Sequence, residues 1–177
     1  MDFKETCLRN SYLILPQKIQ DSRGYFSRTF DKNEFVKRKL NHNFVQDSIS
    51  FNEKKGTIRG MHFQKPPFQE TKIVSCIQGK IFDVIIDLRI RSKTYKKWFC
   101  CELDSKKNNM IYIPEGFAHG FQTLDNNVVV SYKMSEFFNP KFYYGIRWND
   151  PIFNINWPLE PTVLSEKDKL FPNFSSE

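Results

Sequence analysis

The stretch TKIVSCIQGKIFDVIIDLR, residues 71–89, decides the fold class. Its second half alternates with a period of two. Phe82, Val84, Ile86 and Leu88 share one face, and Ile81, Asp83, Ile85 and Asp87 share the other. That pattern in β-branched residues predicts a strand, and Gln78-Gly79-Lys80 carries the turn chemistry of a tight hairpin to the run before it. TIRGMHFQ, KKWFCCEL, NMIYIPEG and NVVVSYKMSE repeat the pattern, with Asp125-Asn126-Asn127 joining a further pair. Many short strands at close spacing predict an all-β sandwich or barrel.

Helix signals are sparse. Asp31 followed by Glu34 reads as a capping box ahead of Phe35, Val36 and Leu40, and SEKDKL reads as a brief helix capped by Ser165. WNDPIFNINWPLEP, 148–161, is expected to be irregular and packed across the barrel. Within the strands, Asp87 reads as a turn or surface carboxylate. Asp83, flanked by isoleucines, is either the same or a half-buried group facing a partly polar cavity, where it needs a partner. Tyr132 shares a face with Val128, Val130 and Met134, so its phenol also needs a hydrogen-bond partner. Cys100 and Cys101 should point to opposite faces as small apolar side chains.

At 177 residues, 40% hydrophobic and 16% aromatic, the chain has apolar material for one domain, residues 1–177, and its 18 phenylalanines make the core strongly aromatic. The start, MDFKETCLRNSYLILPQ, offers only YLIL as an apolar run, too short for a signal peptide or membrane span, so a cytoplasmic location is expected. Four cysteines without CxxC spacing indicate neither a disulfide scaffold nor a metal site. The net charge of +7 rests on turn-like clusters such as Lys96-Lys97 and Lys106-Lys107, without a zinc-finger, RRM or basic-helix signature. A solvated basic surface is expected rather than nucleic-acid binding, and the anionic ligand that fits is small, such as a nucleotide diphosphate.

Two segments carry the chemistry: IRGMHFQ, 58–64, with His62, and IPEGFAHGF, 113–121, with His119. His42, in NHN, reads as a solvated side chain. Metal-binding barrels commonly use a His-x-His pair, and the position two after His62 is Gln64, a weak ligand. Acid–base chemistry without a metal or other cofactor is the expectation. His62 can accept a proton near neutral pH, Tyr132 can donate one, and Lys72 can stabilise an oxyanion. Arg23, Arg59 and Lys167 can hold phosphates. In a regular strand Arg59 faces away from His62, but Gly60 permits a bulge that returns it.

RGYF (23–26), RGMHFQ (59–64), residues 71–89, YIPEGFAHGF (112–121), VVVSYK (128–133), GIRWNDP (145–151) and VLSEKD (163–168) resemble, in order and across nearly the whole chain, the dTDP-4-dehydrorhamnose 3,5-epimerase family. The resemblance implies a cupin-type jelly-roll β-barrel with a short N-terminal helix and C-terminal helical or irregular segments. It also implies a homodimer that epimerises a nucleotide-linked 4-keto-6-deoxy sugar at C3 and C5 without cofactor, supplying deoxysugars for surface polysaccharide. By the same resemblance His62 is the base, Asp168 its orienting carboxylate, Tyr132 the proton donor on the far face and Lys72 the enolate stabiliser. Arg23, Phe26, Gln46, Ser48, Arg59, His119, Phe138 and Lys167 line the nucleotide and sugar site, with Asp83 behind it.

Four positions depart from the family pattern: Arg28, Ser48 and Tyr143 stand where Glu, Asn and Glu are common, and Phe138 where Tyr is common. The first three belong to the region that the resemblance assigns to the nucleotide. They leave open a C3-only epimerase acting on a GDP, CDP or UDP sugar. A metal-dependent cupin enzyme, a non-catalytic sugar-binding barrel and a ketoisomerase moving the carbonyl between C4 and C3 are the other readings.

Overall fold

The computed structural model describes residues 1–175; positions 176 and 177 of the expected domain lie outside the described residues. In chain order the strands and helices are β1 (Asp2–Glu5), β2 (Tyr12–Leu15), β3 (Lys18–Asp21), β4 (Gly24–Ser27), α1 (Lys32–Lys37), β5 (Gln46–Asn52) and β6 (Ile58–Gln64). They continue with β7 (Lys72–Gln78), β8 (Lys80–Asp87), β9 (Trp98–Asp104), β10 (Met110–Ile113), β11 (Phe117–Thr123), β12 (Val128–Met134), β13 (Tyr143–Gly145) and α2 (Glu166–Leu170). The all-β reading holds, in the form of two open sheets rather than one closed ring. One sheet runs β1-β2-β10-β7-β12-β5, the other β13-β6-β11-β8-β9, and β3-β4 stands apart as a hairpin.

The two sheets bury a shared apolar layer. Val74, Cys76, Ile111 and Val130 of one meet Ile81, Ile85, Leu103 and Phe121 of the other, all nearly inaccessible. Each such side chain contributes about 1.5–3 kcal/mol. The opposite face of the five-stranded sheet is also covered: Met61, Val84, Ile86 and Ala118 pack under Ile146, Phe153, Ile155, Trp157 and Phe174 of the irregular C-terminal stretch. Cys101 faces the inner layer and Cys100 the outer one, as their adjacency requires. Around α1, Phe35 is fully buried against Phe3, Phe30, Phe44 and Tyr112.

Several local expectations are corrected. The turns at Gly79 and at Asp125-Asn126-Asn127 are corners, not hairpins: β7 and β12 lie in one sheet, while β8 and β11 lie in the other. Turn chemistry reverses the chain, but strand pairing follows from which apolar faces meet, and β7 pairs instead with β10 and β12. Asp87 is not a surface carboxylate. It has no exposed area and accepts hydrogen bonds from Arg89 Nε (2.8 Å), Ser92 Oγ (2.6 Å) and Thr94 Oγ1 (2.6 Å), which fasten the β8–β9 loop. Burial alone would raise its pKa, but these donors hold it below the usual carboxylate value. At α1 the Asp31 side chain accepts from Asn33 N, and Glu34 pairs with Lys37 and Arg38 instead of closing the capping box. Ser165 caps α2 as expected, accepting from Asp168 N at 3.0 Å.

The feature that positions the site is a close crossing of β6 and β11. His119 pairs with His62, the register then shifts, and Phe121 pairs with Arg59. Gly60 has φ +129°, and a Cβ there would lie 2.5 Å from Gly120 Cα. The bulge needs both the left-handed backbone and the missing side chain. Gly60→Ala is expected to lower stability by about 2–4 kcal/mol. Gly24→Ala has the same kind of φ (+130°) but open space around it, and should lose only about 1 kcal/mol. Urea unfolding of the two variants measures the difference.

Candidate active site

Between the sheets lies a cavity of about 380 Å³. The six-stranded sheet lines it with Gln46, Ser48, Ser50, Lys72, Tyr132 and Met134, and the five-stranded sheet with Arg59, His62, His119, Phe121 and Tyr143; Glu70 and Phe138 complete it. Arg59 and His62, three residues apart, face the same space because the Gly60 bulge absorbs one position. Arg59 is held by Asn52 Oδ1, which accepts from its Nε at 2.7 Å.

His62 donates through Nε2 to Asp168 Oδ1 at 2.7 Å, and the other carboxylate oxygen accepts from Gly60 N at 3.2 Å. The ionised carboxylate fixes the proton on Nε2, so Nδ1 is the basic nitrogen. Removal from water lowers the His62 pKa, against the opposing pull of Asp168, so the ring is neutral at pH 7. Asp168 is itself held below its ordinary value: burial pushes it up, but the hydrogen bonds from His62 and Gly60 outweigh that.

Tyr132 faces the cavity from the other sheet, its hydroxyl 3.0 Å from Ser50 Oγ. Burial pushes its pKa up to about 12, so it keeps its proton at neutral pH and can donate it. Lys72 Nζ pairs with Glu70 Oε1 at 2.9 Å, and Gln64 Nε2 donates to Glu70 Oε2 at 3.0 Å. His119 Nε2 lies 2.7 Å from Asp83 Oδ2. Asp83 is fully buried, and its Oδ1 has no hydrogen-bond partner among the described residues.

Of the residues singled out from the sequence, Gln46, Ser48, Arg59, His62, Lys72, His119, Tyr132 and Phe138 line this cavity, with Asp168 and Asp83 behind two of them. Lys167 does not line it but lies against a residue that does, its ammonium 3.9 Å from the centre of the Tyr143 ring. Arg23 and Phe26 are not brought to it. Arg23 is paired with Asp21 on the exposed β3–β4 turn, and Phe26, 62% exposed, lies over a separate depression with Ile19 and Arg28. His42 lines another depression near α1. Glu70 and Ser50 were missed: Ser50 lies two residues from Ser48 on the same face of β5, a spacing that could have found it, whereas Glu70 lies in the segment before β7, where no periodicity applies.

A neutral imidazole held by a carboxylate, facing a protonated phenol across a cavity that also presents Arg59 and Lys72, is the equipment of an isomerase that moves protons on a small substrate. The comparisons with known proteins define it further. A family profile described as dTDP-4-dehydrorhamnose 3,5-epimerase matches residues 5–176, and the chain belongs to that family. The chain is 42% identical over 174 residues to the dTDP-4-dehydrorhamnose 3,5-epimerase of Sinorhizobium fredii, covering 98% of this chain and 89% of that protein. It is also similar to the Bacillus anthracis enzyme solved with TDP and PPi bound (38% identity, TM-score 0.95, covering 98% of this chain and 99% of that one). The Legionella pneumophila epimerase in complex with dTDP-4-keto-L-rhamnose is similar at 32% identity and TM-score 0.92, covering 97% and 92%.

The dyad has a consequence for stability. His62 is depressed in the fold, so below about pH 6.5 the unfolded chain binds a proton that the folded chain refuses, and stability falls as pH drops. The depressed Asp168 acts in the same direction at lower pH, as its folded carboxylate becomes protonated. The wild type is therefore expected to lose more stability between pH 7 and pH 5 than His62→Gln does, measured by urea denaturation at each pH.

Proposed function

We propose that this chain inverts C3 and C5 of a dTDP-linked 4-keto-6-deoxy sugar, using His62 as base and Tyr132 as acid. The observation that carries the reading is their placement on opposite sheets around one cavity. The C4 ketone acidifies the hydrogens on C3 and C5. Nδ1 of His62 takes the C3 proton, and the electron pair of the C–H bond moves onto the C4 oxygen as an enolate. The Lys72 ammonium, held by Glu70, stabilises that oxygen. Tyr132 returns a proton to C3 from the opposite face, so one proton leaves, one arrives and the centre is inverted. The same steps at C5 complete the product.

Arg59 and Lys167 supply positive charge for the diphosphate, and Gln46, Ser48, His119 and Phe138 line the remainder of the site. The named activities of the relatives favour a dTDP sugar and double inversion over the C3-only reading on another nucleotide. The functional unit we propose is one domain, residues 1–177, working as a cytoplasmic homodimer. None of the described helices is long and apolar enough to cross a membrane. The dimer reading is supported by the β3–β4 hairpin, whose Ile19, Tyr25 and Phe26 stand exposed beside Arg23. In that reading Arg23 and Phe26 reach the nucleotide in a second copy's cavity.

In deuterated water the wild type is expected to place deuterium at both C3 and C5 of the product, read by NMR. His62→Ala should slow exchange by about 10²–10⁴-fold. Tyr132→Phe should let exchange through His62 continue while inversion is lost. Undiminished exchange in the His62 variant would refute the assigned base.

A further inference from the structure

We propose that Tyr143 touches the substrate, its phenol donating a hydrogen bond to an oxygen of the hexose held against His62. The inference rests on the catalytic reading above and deepens it, since nothing in that reading assigns Tyr143 a role.

The placement comes from strand register. β13 pairs with β6 so that Tyr143 stands opposite Gln64 and Gly145 opposite His62. Tyr143 is thus the diagonal neighbour of the base on one sheet face. Its ring centre lies 5.3 Å from that of His62, 5.4 Å from that of Phe138 and 6.4 Å from that of Phe171, with the Lys167 ammonium 3.9 Å away. A ring packed by three aromatic side chains and a cation is fixed in direction, so the hydroxyl is fixed with it.

That hydroxyl has no hydrogen-bond partner among the described residues, although the side chain lines the cavity. The nearby carboxylates are already engaged: Asp168 accepts from His62 and Gly60, and Glu70 from Lys72 and Gln64. Burial, followed by the negative charge of Asp168 and Glu70, raises the phenol's pKa, so at neutral pH it is a donor. The hydroxyl is open to the cavity's solvent, so a ligand oxygen that enters there can take the place of water as its acceptor. His62 must reach the hydrogens on the sugar ring, so a hydroxyl on the ring packed beside it meets the sugar rather than the nucleobase. Phe138, the adjacent aromatic wall, offers no hydroxyl to do this. The departure at position 143 therefore acts on the hexose.

Tyr143→Phe removes only the oxygen. Calorimetric titration compares dTDP-glucose, which carries a hexose, with dTDP, which does not. The variant is expected to bind dTDP-glucose about three- to tenfold more weakly, with dTDP affinity and Tm unchanged. Turnover of the 4-keto sugar should lose at least as much in kcat/KM. Equal weakening for both ligands would move the contact to the nucleotide and overturn the proposal, as would no change for either. A wild type that binds both ligands yet exchanges no deuterium would defeat the catalytic reading, while the pair of affinities still judges the hydroxyl's contact with the hexose.

Discussion

One carboxylate ties the Gly60 bulge and the His62 imidazole to the C-terminal helix. Asp168 sits in the middle of a five-residue helix, 106 positions from His62 and 108 from Gly60, and accepts a hydrogen bond from each. Its side chain is 6% exposed, so its charge cannot rely on water and must be met by donors inside the protein. Those donors exist because Gly60 takes a backbone conformation that turns its N–H towards α2 and Arg59 back into the cavity. The bulge, the helix and the imidazole are one arrangement. A change at any of them alters the tautomer and the position of the His62 imidazole, not only the local packing.

Gln64 shows how the same strand serves a second purpose. Its amide argued against a metal site, and in the fold it acts as a clamp. Oε1 accepts from Asn139 N at 2.7 Å, and Nε2 donates to Phe68 O and Glu70. The residue thereby fixes both the segment that carries Phe138 and the carboxylate that holds Lys72. A histidine there would have one ring donor and one acceptor, too few for all of these contacts.

Strand identity was legible because the alternation of β8 and its neighbours is a local property, and so was α2, whose cap lies within four residues. The residues around His62, Lys72, Tyr132 and Asp168 were legible through their motifs. Pairing was not: Gln78-Gly79-Lys80 encodes a reversal, and only the burial of Cys76 and Ile81 on facing sheets makes it a corner. Asp87 was misjudged because its donors lie in a loop that folds back, which no periodicity records. The short strands β1 to β4 and β13 went unassigned, as did β5 and β11, since QDSISFN lacks a β-branched run and FAHGFQT is interrupted by glycine. Arg23 and Phe26 lie on the exposed β3–β4 hairpin, where Arg23 pairs with Asp21 and Phe26 lies beside Ile19, so the motif reading and the folded chain place them differently.

The late position of Asp168 also bears on how the protein is made. Synthesis delivers β1 through β13, and with them nearly all of the apolar layer, well before α2 leaves the ribosome. A chain ending between Gly145 and Asp168 would carry Arg59, Lys72, His62 and Tyr132, but its imidazole would have no carboxylate to set its tautomer, and Met61, Val84 and Ile86 would lack part of their cover. The carboxylate of the dyad is therefore the last part of the cavity's surroundings that synthesis supplies.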